Sequence, residues 1–340
     1  MNPACADTLH HRVIKRILTR GLSETIERDI VATMMVIRGD HKRVENFSFG
    51  FSDARPTIGG WRWGRLGVLG ALLLLAPAWA AAQTPSPLQE WQYSGGVILA
   101  KLFEPDVPRF RTVLGLASEV QPVYDGSHAY RVQGGPVVNI QYRDIAFATT
   151  GEGIGYNFLH GDHYQVGVGM TYDFGRKVRD DYTNLHGMGD IGAAPVAKVF
   201  GSWVLSKKFP LILRADVRQF IGGAEGAVGD AGVYMPLPGS SKTFVMFAGP
   251  SITLATHHYQ QTLFGVTPEQ SLASGHPIYD VPHAGTTAAG VGFSATKFIT
   301  SHWLVNMDTA ISQIRGSAAH SPLVEKRTQR VLALSVNYQW

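Results

Sequence analysis

Beyond residue 90 the chain alternates between hydrophobic and polar positions with a period of two. The last eleven residues set the pattern. Leu332, Leu334, Val336, Tyr338 and Trp340 fall on one face of an extended strand, and Ala333, Ser335, Asn337 and Gln339 on the other. Tyr164, Val166, Val168, Met170, Tyr172 and Phe174 oppose Gln165, Gly167, Gly169, Thr171, Asp173 and Gly175 in the same way. Leu211, Leu213, Ala215 and Val217 oppose Arg214, Asp216 and Arg218. Stretches 242–256, 285–300 and 302–315 repeat the alternation, and no 3.6-residue apolar period competes with it. The pattern predicts an all-β protein.

Two β architectures share this periodicity. A soluble barrel buries its apolar face, whereas a membrane barrel turns it outward and keeps Gly, Ser, Thr and paired charges in the lumen. The C-terminal aromatics and the aromatics at strand ends favour the membrane. Open sheets are excluded in lipid, because each unpaired edge amide costs several kcal/mol, so spanning strands must close. Short turns fit Phe209-Pro210, Pro238 to Ser241 and Thr300-Ser301, and long polar loops fit 176–191, 257–284 and 316–328. Strands are expected near 109–123, 131–142, 162–175, 193–205, 209–221, 226–237, 242–256, 285–300, 302–315 and 329–340. A glycine-centred hairpin, 144–150 then 153–159, brings the number to twelve. If 144–159 is one bent strand, a further strand must come from 91–103, and ten is the fallback.

The N-terminal part reads differently. Arg62 and Arg65, the apolar run Leu66 to Ala76, Pro77 and the small-residue sites around Ala80 to Ala82 make 61–82 an expected signal peptide, cleaved after Ala82. The apolar run is too short to span a bilayer, which takes about 20 residues. Residues 1–60 do not fit an exported protein and are expected to be a non-native or disordered extension. Residues 83–108 are a periplasmic segment or an extra strand, and 109–340 is the barrel. Removing the leader changes the charge. The net +4 of the whole chain lies within residues 1–82, which hold 11 Lys and Arg against 7 Asp and Glu, and the remainder balances at 19 and 19. The pI of 9.1 therefore describes the leader, and no basic field remains to suggest nucleic acid. The single cysteine, Cys5, is also in the leader, which excludes disulfides, Cys–zinc sites and cysteine catalysis from residues 83–340.

The loops carry a family resemblance. The run Pro122 to Arg131, with Tyr124, Gly126 and Tyr130, resembles the first-loop signature of the MipA/OmpV family of outer-membrane proteins. So do Gly153 to Phe158, Gly187 to Asp190, and Tyr259 to Tyr279 with Phe264-Gly265 and Ser274-Gly275. Ser321-Pro322 in the last loop fits as well. The pieces keep the family's order from about 109 to 340. The chain departs in ending on Trp340, where the family often ends in Phe, and in carrying 84–108. The resemblance implies an outer-membrane barrel of a Gram-negative envelope, in contact with outer-membrane lipid and lipopolysaccharide. It implies a structural or scaffolding role, in which a lytic transglycosylase and a penicillin-binding protein are held at the membrane. It brings no catalytic residues and no cofactor. Other members of the family are described as porin-like, and a narrow solute channel is the alternative.

Arg214, Asp216 and Arg218 are expected in the lumen, either as a selectivity ladder or as a self-neutralising network with Asp173 and Asp308. His257, His258, His276 and His283 lie in the longest loop at spacings too loose for a metal site. Ser, His and Asp all occur, yet no G-x-S-x-G elbow is present and strand parity assembles no triad. The glycines at 151, 153 and 155 lack the following helix and downstream acid of a dinucleotide loop. Phe264 to Tyr279 has the turn chemistry of a compact loop, through Gly265, Pro268, Gly275 and Pro277. It is expected either to constrict the barrel mouth or to offer a docking surface.

Overall fold

The computed structural model describes residues 108–205 and 211–340. The expected signal peptide, the extension before it, the fallback strand at 91–103 and the turn at Phe209-Pro210 lie outside these residues. Twelve antiparallel strands form one closed barrel in chain order. They are β1 (Phe110–Pro122), β2 (Tyr130–Tyr142), β3 (Ala146–Thr149), β4 (Gly153–His160), β5 (Tyr164–Asp173) and β6 (Ala194–Val204). The second half is β7 (Ile212–Phe220), β8 (Gly226–Pro236), β9 (Phe244–Ala255), β10 (Gly285–Phe298), β11 (Trp303–Ile314) and β12 (Thr328–Gln339). The last strand returns to the first from Val113↔Gln339 through Val120↔Leu332, so the sheet has no free edge there. Twelve is thus the strand number, and the glycine-centred stretch 144–159 is a hairpin.

The two faces are sorted as lipid requires. Val217 is 55% exposed, while Arg218 beside it is 4% exposed. Leu116, Val132, Val168, Met170, Leu334 and Val336 point outward, and Gln165, Lys198, Ser294, Asp308 and Asn337 are buried inside. An apolar outer band around a polar interior is the arrangement of a membrane-spanning barrel. No helix among the described residues is long and apolar enough to cross a membrane. Trp303, Tyr338 and Trp340 stack edge to face at one rim, with Tyr338 ring centroids 5.2 and 4.7 Å from the two tryptophans. Aromatic girdles of this kind mark the interface.

The β3–β4 hairpin is shorter than its neighbours. It pairs with only Asn139 to Tyr142 of β2, so the part of β2 from Tyr130 to Val138 runs on beyond it. Val138 turns its amide and carbonyl toward the hairpin, where they meet Thr150. Pro136, two residues away on the same edge, has no N–H to leave unpaired there. Arg131 reaches Asp180 at 3.5 Å, which ties a 3-10 turn (Val178–Asp181) over this stretch of β2.

Long loops gather at the rim opposite the aromatic cluster. Three short helices lie in them: α1 (Tyr182–Leu185), α2 (His257–Phe264) and α3 (Pro268–Ser274). Short turns join strands at the other rim, which is the periplasmic side in barrels of this kind.

Candidate functional site

The lumen is layered, and β7 alone shows the layers. Ile212 sits at the periplasmic end, then Arg214, Asp216 and Arg218, then Phe220 at the outer end, all less than 7% exposed. Side chains facing a wide aqueous pore would be wet, so this burial means a filled interior. At the periplasmic end Val204, Ile212, Tyr234 and Phe247 from four consecutive strands pack into an apolar cluster.

Charges fill the middle. Register places Lys198 opposite Arg218 and Asp216 opposite Asp230. Arg218 Nε lies 3.3 Å from Asp216 Oδ2, and its Nη2 donates to Asp230. Thr253 Oγ1 donates to the other oxygen of Asp230. Glu152, in the β3–β4 turn, accepts from Arg214 Nη2 at 2.9 Å, and Lys198 Nζ stands 3.8 Å away. Arg214, Asp216 and Arg218 therefore share the lumen with Glu152, Lys198 and Asp230, none of which the sequence pattern singles out. Asp173 lies instead at the outer end of β5, in a small cavity with Tyr124, Asp125 and Arg176. Asp308 is buried on β11, a different wall. Lys198 and Asp230 carried a readable signal, since both sit on inward-facing strand positions. Glu152 did not, because turn residues have no strand parity.

Above the charges, the loops form a cap. Tyr259 of α2 packs on Phe220 with ring centroids 4.9 Å apart, within an apolar cluster of Ile191, Val196, Ala224, Val228 and Ala255. Phe264 packs with Val281, Ile314, Ala318 and Ala319. Helix α3 starts with a capping box between Thr267 and Gln270, has Pro268 in its first turn, and stops at Gly275 in the left-handed region at φ 79°. Gln270 then donates to Met188 O at 2.7 Å in another loop. So 264–279 is a compact, structured segment lying over the barrel mouth.

Motif residues far apart in sequence meet in this cap. Tyr124 Oη donates to Leu323 O at 3.0 Å, next to Pro322. Ser321 Oγ donates to Phe264 O at 2.6 Å. The carbonyl of Gly126 accepts from Lys326 N at 2.9 Å. At φ 106°, Gly126 packs so closely on Val324 that a Cβ would stand 2.9 Å from Cγ2 of that side chain. Tyr130 Oη accepts from Arg330 N at 3.2 Å, and Arg131 joins Asp180. Gly265 N closes α2 on Gln261 O, and Ser274 Oγ donates to Gln270 O at 2.7 Å. Arg176 donates to Leu263 O at 2.8 Å, and burial pushes its guanidinium down to about 10. Burial also pushes the Tyr124 phenol well above its usual range.

The four loop histidines diverge. His257 bonds Val281 O, His258 bonds Glu225, His276 bonds Asn184 O and His283 faces Ser317. Among the described residues no group of three His, Cys, Asp or Glu side chains converges to hold a metal.

A closed twelve-strand barrel with a lipid-facing apolar wall, a charged and filled lumen and an outer loop cap is a bacterial outer-membrane β-barrel. The resemblance read in its loops holds. The chain belongs to the family described as MltA-interacting protein MipA, which matches residues 114–340. Among solved structures it is similar to an outer membrane channel from Pseudomonas putida F1, at 12% identity and a TM-score of 0.42, covering 69% of this chain and 97% of that one. It is also similar to the NanC porin, at 14% identity and a TM-score of 0.36, covering 66% and 98%. A third is the translocator domain of autotransporter NalP from Neisseria meningitidis, at 13% identity and a TM-score of 0.32, covering 77% and 100%. No curated protein matches the chain.

Proposed function

We propose that this protein is a structural, non-catalytic barrel that anchors peptidoglycan-remodelling enzymes to the outer membrane after export on a cleaved signal peptide at 61–82. The single observation that carries the reading is the filling of the lumen. An apolar cluster from β6 to β9 packs at the periplasmic end, buried ion pairs occupy the middle and the loops lie over the mouth. Such a barrel is poorly suited to passing solutes, which favours anchoring over a narrow porin. The family description names an interaction with MltA, which supports a lytic transglycosylase as the partner, and a penicillin-binding protein is the second component of the proposal.

A periplasmic enzyme meets the short-turn rim. That rim offers Arg143, Asp144 with His160 at 2.8 Å, Ser241, Lys242 and His302. Two measurements on the chain in planar bilayers and proteoliposomes test the reading. Conductance is expected to stay at the lipid leak. A purified lytic transglycosylase is expected to co-sediment with the proteoliposomes, and to be lost when the turns at 143–145 and 237–243 are exchanged for unrelated ones. Porin-sized conductance steps, or no co-sedimentation, would sink it.

A further inference from the structure

We propose that the free edge of β2, in the outer half of the barrel wall, binds one outer-leaflet glycolipid of the lipid A class, a phosphorylated sugar carrying amide-linked 3-hydroxyacyl chains. The site is separate from the periplasmic rim and does not depend on what that rim holds.

The edge follows from strand pairing. β2 pairs with β1 over its whole length, but with β3 only from Asn139 to Tyr142. Backbone groups of an antiparallel strand alternate sides. The Val138 amide and carbonyl face the hairpin, so those of Pro136, Gly134 and Val132 face the same way, into space that the hairpin is too short to fill. Among the described residues they meet no hydrogen-bond partner on that side. Across the gap, β4 accompanies β5 only as far as Met170. Two strands stop short, so the notch is about 14 Å across, or three strand spacings.

The notch lies at lipid depth. Val132 is 73% exposed, and Leu116, paired with Pro136, is 72% exposed. Tyr130 stands above them, and the Phe110–Tyr142 aromatic pair marks the opposite rim. Unpaired backbone groups are costly in lipid, so the occupant must bring polar groups with it. The edge shows the N–H groups of Val132 and Gly134 against three carbonyls, because Pro136 has no N–H. A glycerophospholipid carries only ester acceptors to this depth. Strand addition is opposed by Pro136 and weakened by Gly134-Gly135. Amide and hydroxyl groups on acyl chains supply donors and acceptors together.

Charge selects the same ligand. Arg179 adjoins the Asp180 that holds Arg131, and the backbone N–H of Arg330 donates to Tyr130 Oη. Both arginines are exposed at the outer rim above the edge, and neither is ion-paired among the described residues. They supply the positive charge that a sugar phosphate requires.

Native mass spectrometry of the full chain, refolded in lipid-free detergent, tests the assignment with diphosphoryl lipid A as the probe. One lipid A per barrel is expected, bound at least tenfold more tightly than dioleoylphosphatidylglycerol. Gly134→Pro removes an N–H that the sheet does not use, and is expected to weaken lipid A binding at least fivefold. Gly134→Ala keeps that N–H and is expected to bind as the wild type does. Arg179→Gln combined with Arg330→Gln is expected to abolish the preference for diphosphoryl over dephosphorylated lipid A. Heat-modifiable migration on gels confirms that each variant is folded. The proposal is overturned by no adduct, by equal binding of phosphatidylglycerol, or by a protein dimer in place of the adduct. It is overturned equally by undiminished binding to folded Gly134→Pro, by the same loss in Gly134→Ala, or by an unchanged phosphate preference in the double arginine variant.

Discussion

Glutamine in place of Glu152 is the sharpest perturbation of this barrel. Its carboxylate stands 2.9 Å from Arg214 and 3.8 Å from Lys198, and the three side chains are 0%, 4% and 2% exposed. Glutamine keeps the volume and removes the charge, leaving two buried cations without their shared anion. At an effective dielectric of about 20, each pair is worth about 4–6 kcal/mol of Coulomb attraction. The carboxylate's own desolvation offsets part of that, and the net cost of breaking such a buried pair is about 3–5 kcal/mol. The assay is guanidinium unfolding of the chain folded into phosphatidylcholine vesicles, read as a lower midpoint at an unchanged slope. Glu225→Gln is the control. Its contact with His258 leaves the side chains 59% and 64% exposed, so it is expected to cost at most about 1 kcal/mol. Adding Arg214→Met to Glu152→Gln should recover part of the loss, because one of the two cations deprived of that anion is then removed while Lys198 remains. If Glu152→Gln costs no more than Glu225→Gln, the middle of the lumen is wet and the picture of a filled barrel is wrong.

Three further outcomes follow from the same geometry. Leu334→Arg, on the outward face of β12 between Ser118 and Met307, is expected to cost about 2–4 kcal/mol in vesicles; a neutral effect would mean that lipid does not touch this face. Thr267→Ala removes the capping box of α3 and should cost that helix about 1 kcal/mol. Amide exchange is expected to quicken within 268–274 while the global midpoint stays put, and a global shift would contradict a locally folded cap. Asp125 sets a pH dependence: its folded carboxyl is raised by burial, against the pull of Arg176 and Arg218, with Tyr124, Asp173 and Asp230 also facing its cavities. Above the ordinary range near 3.9 the folded chain then holds a proton that the unfolded chain has lost, so stability falls as pH rises toward the folded value. Asp125→Asn should flatten that fall, and an unchanged pH profile would count against it.

The sequence by itself determined the wall of this barrel. Period-two alternation is a property of neighbouring residues, so the lipid face of Met170, Val217 and Leu334 and the inward aim of Arg214, Asp216 and Arg218 were legible before any tertiary contact. Turn chemistry placed the strand ends to within a few residues, and the glycines between 151 and 155 marked the hairpin that made twelve strands. The family motifs named Tyr124, Phe264 and Ser321, without saying that they touch. What only the tertiary structure decided is everything that depends on closure and register. Glu152 reaches Arg214 because a short hairpin ends at the height of the charge layer. Asp230 joins Arg218 because β7 and β8 pair in one particular register. The three loops meet because joining β12 to β1 brings residues 124 and 323 onto the same rim. Local pattern fixes which way a side chain points; which side chain it meets across a lumen is set by the shear of the closed sheet, and no stretch of sequence encodes that alone.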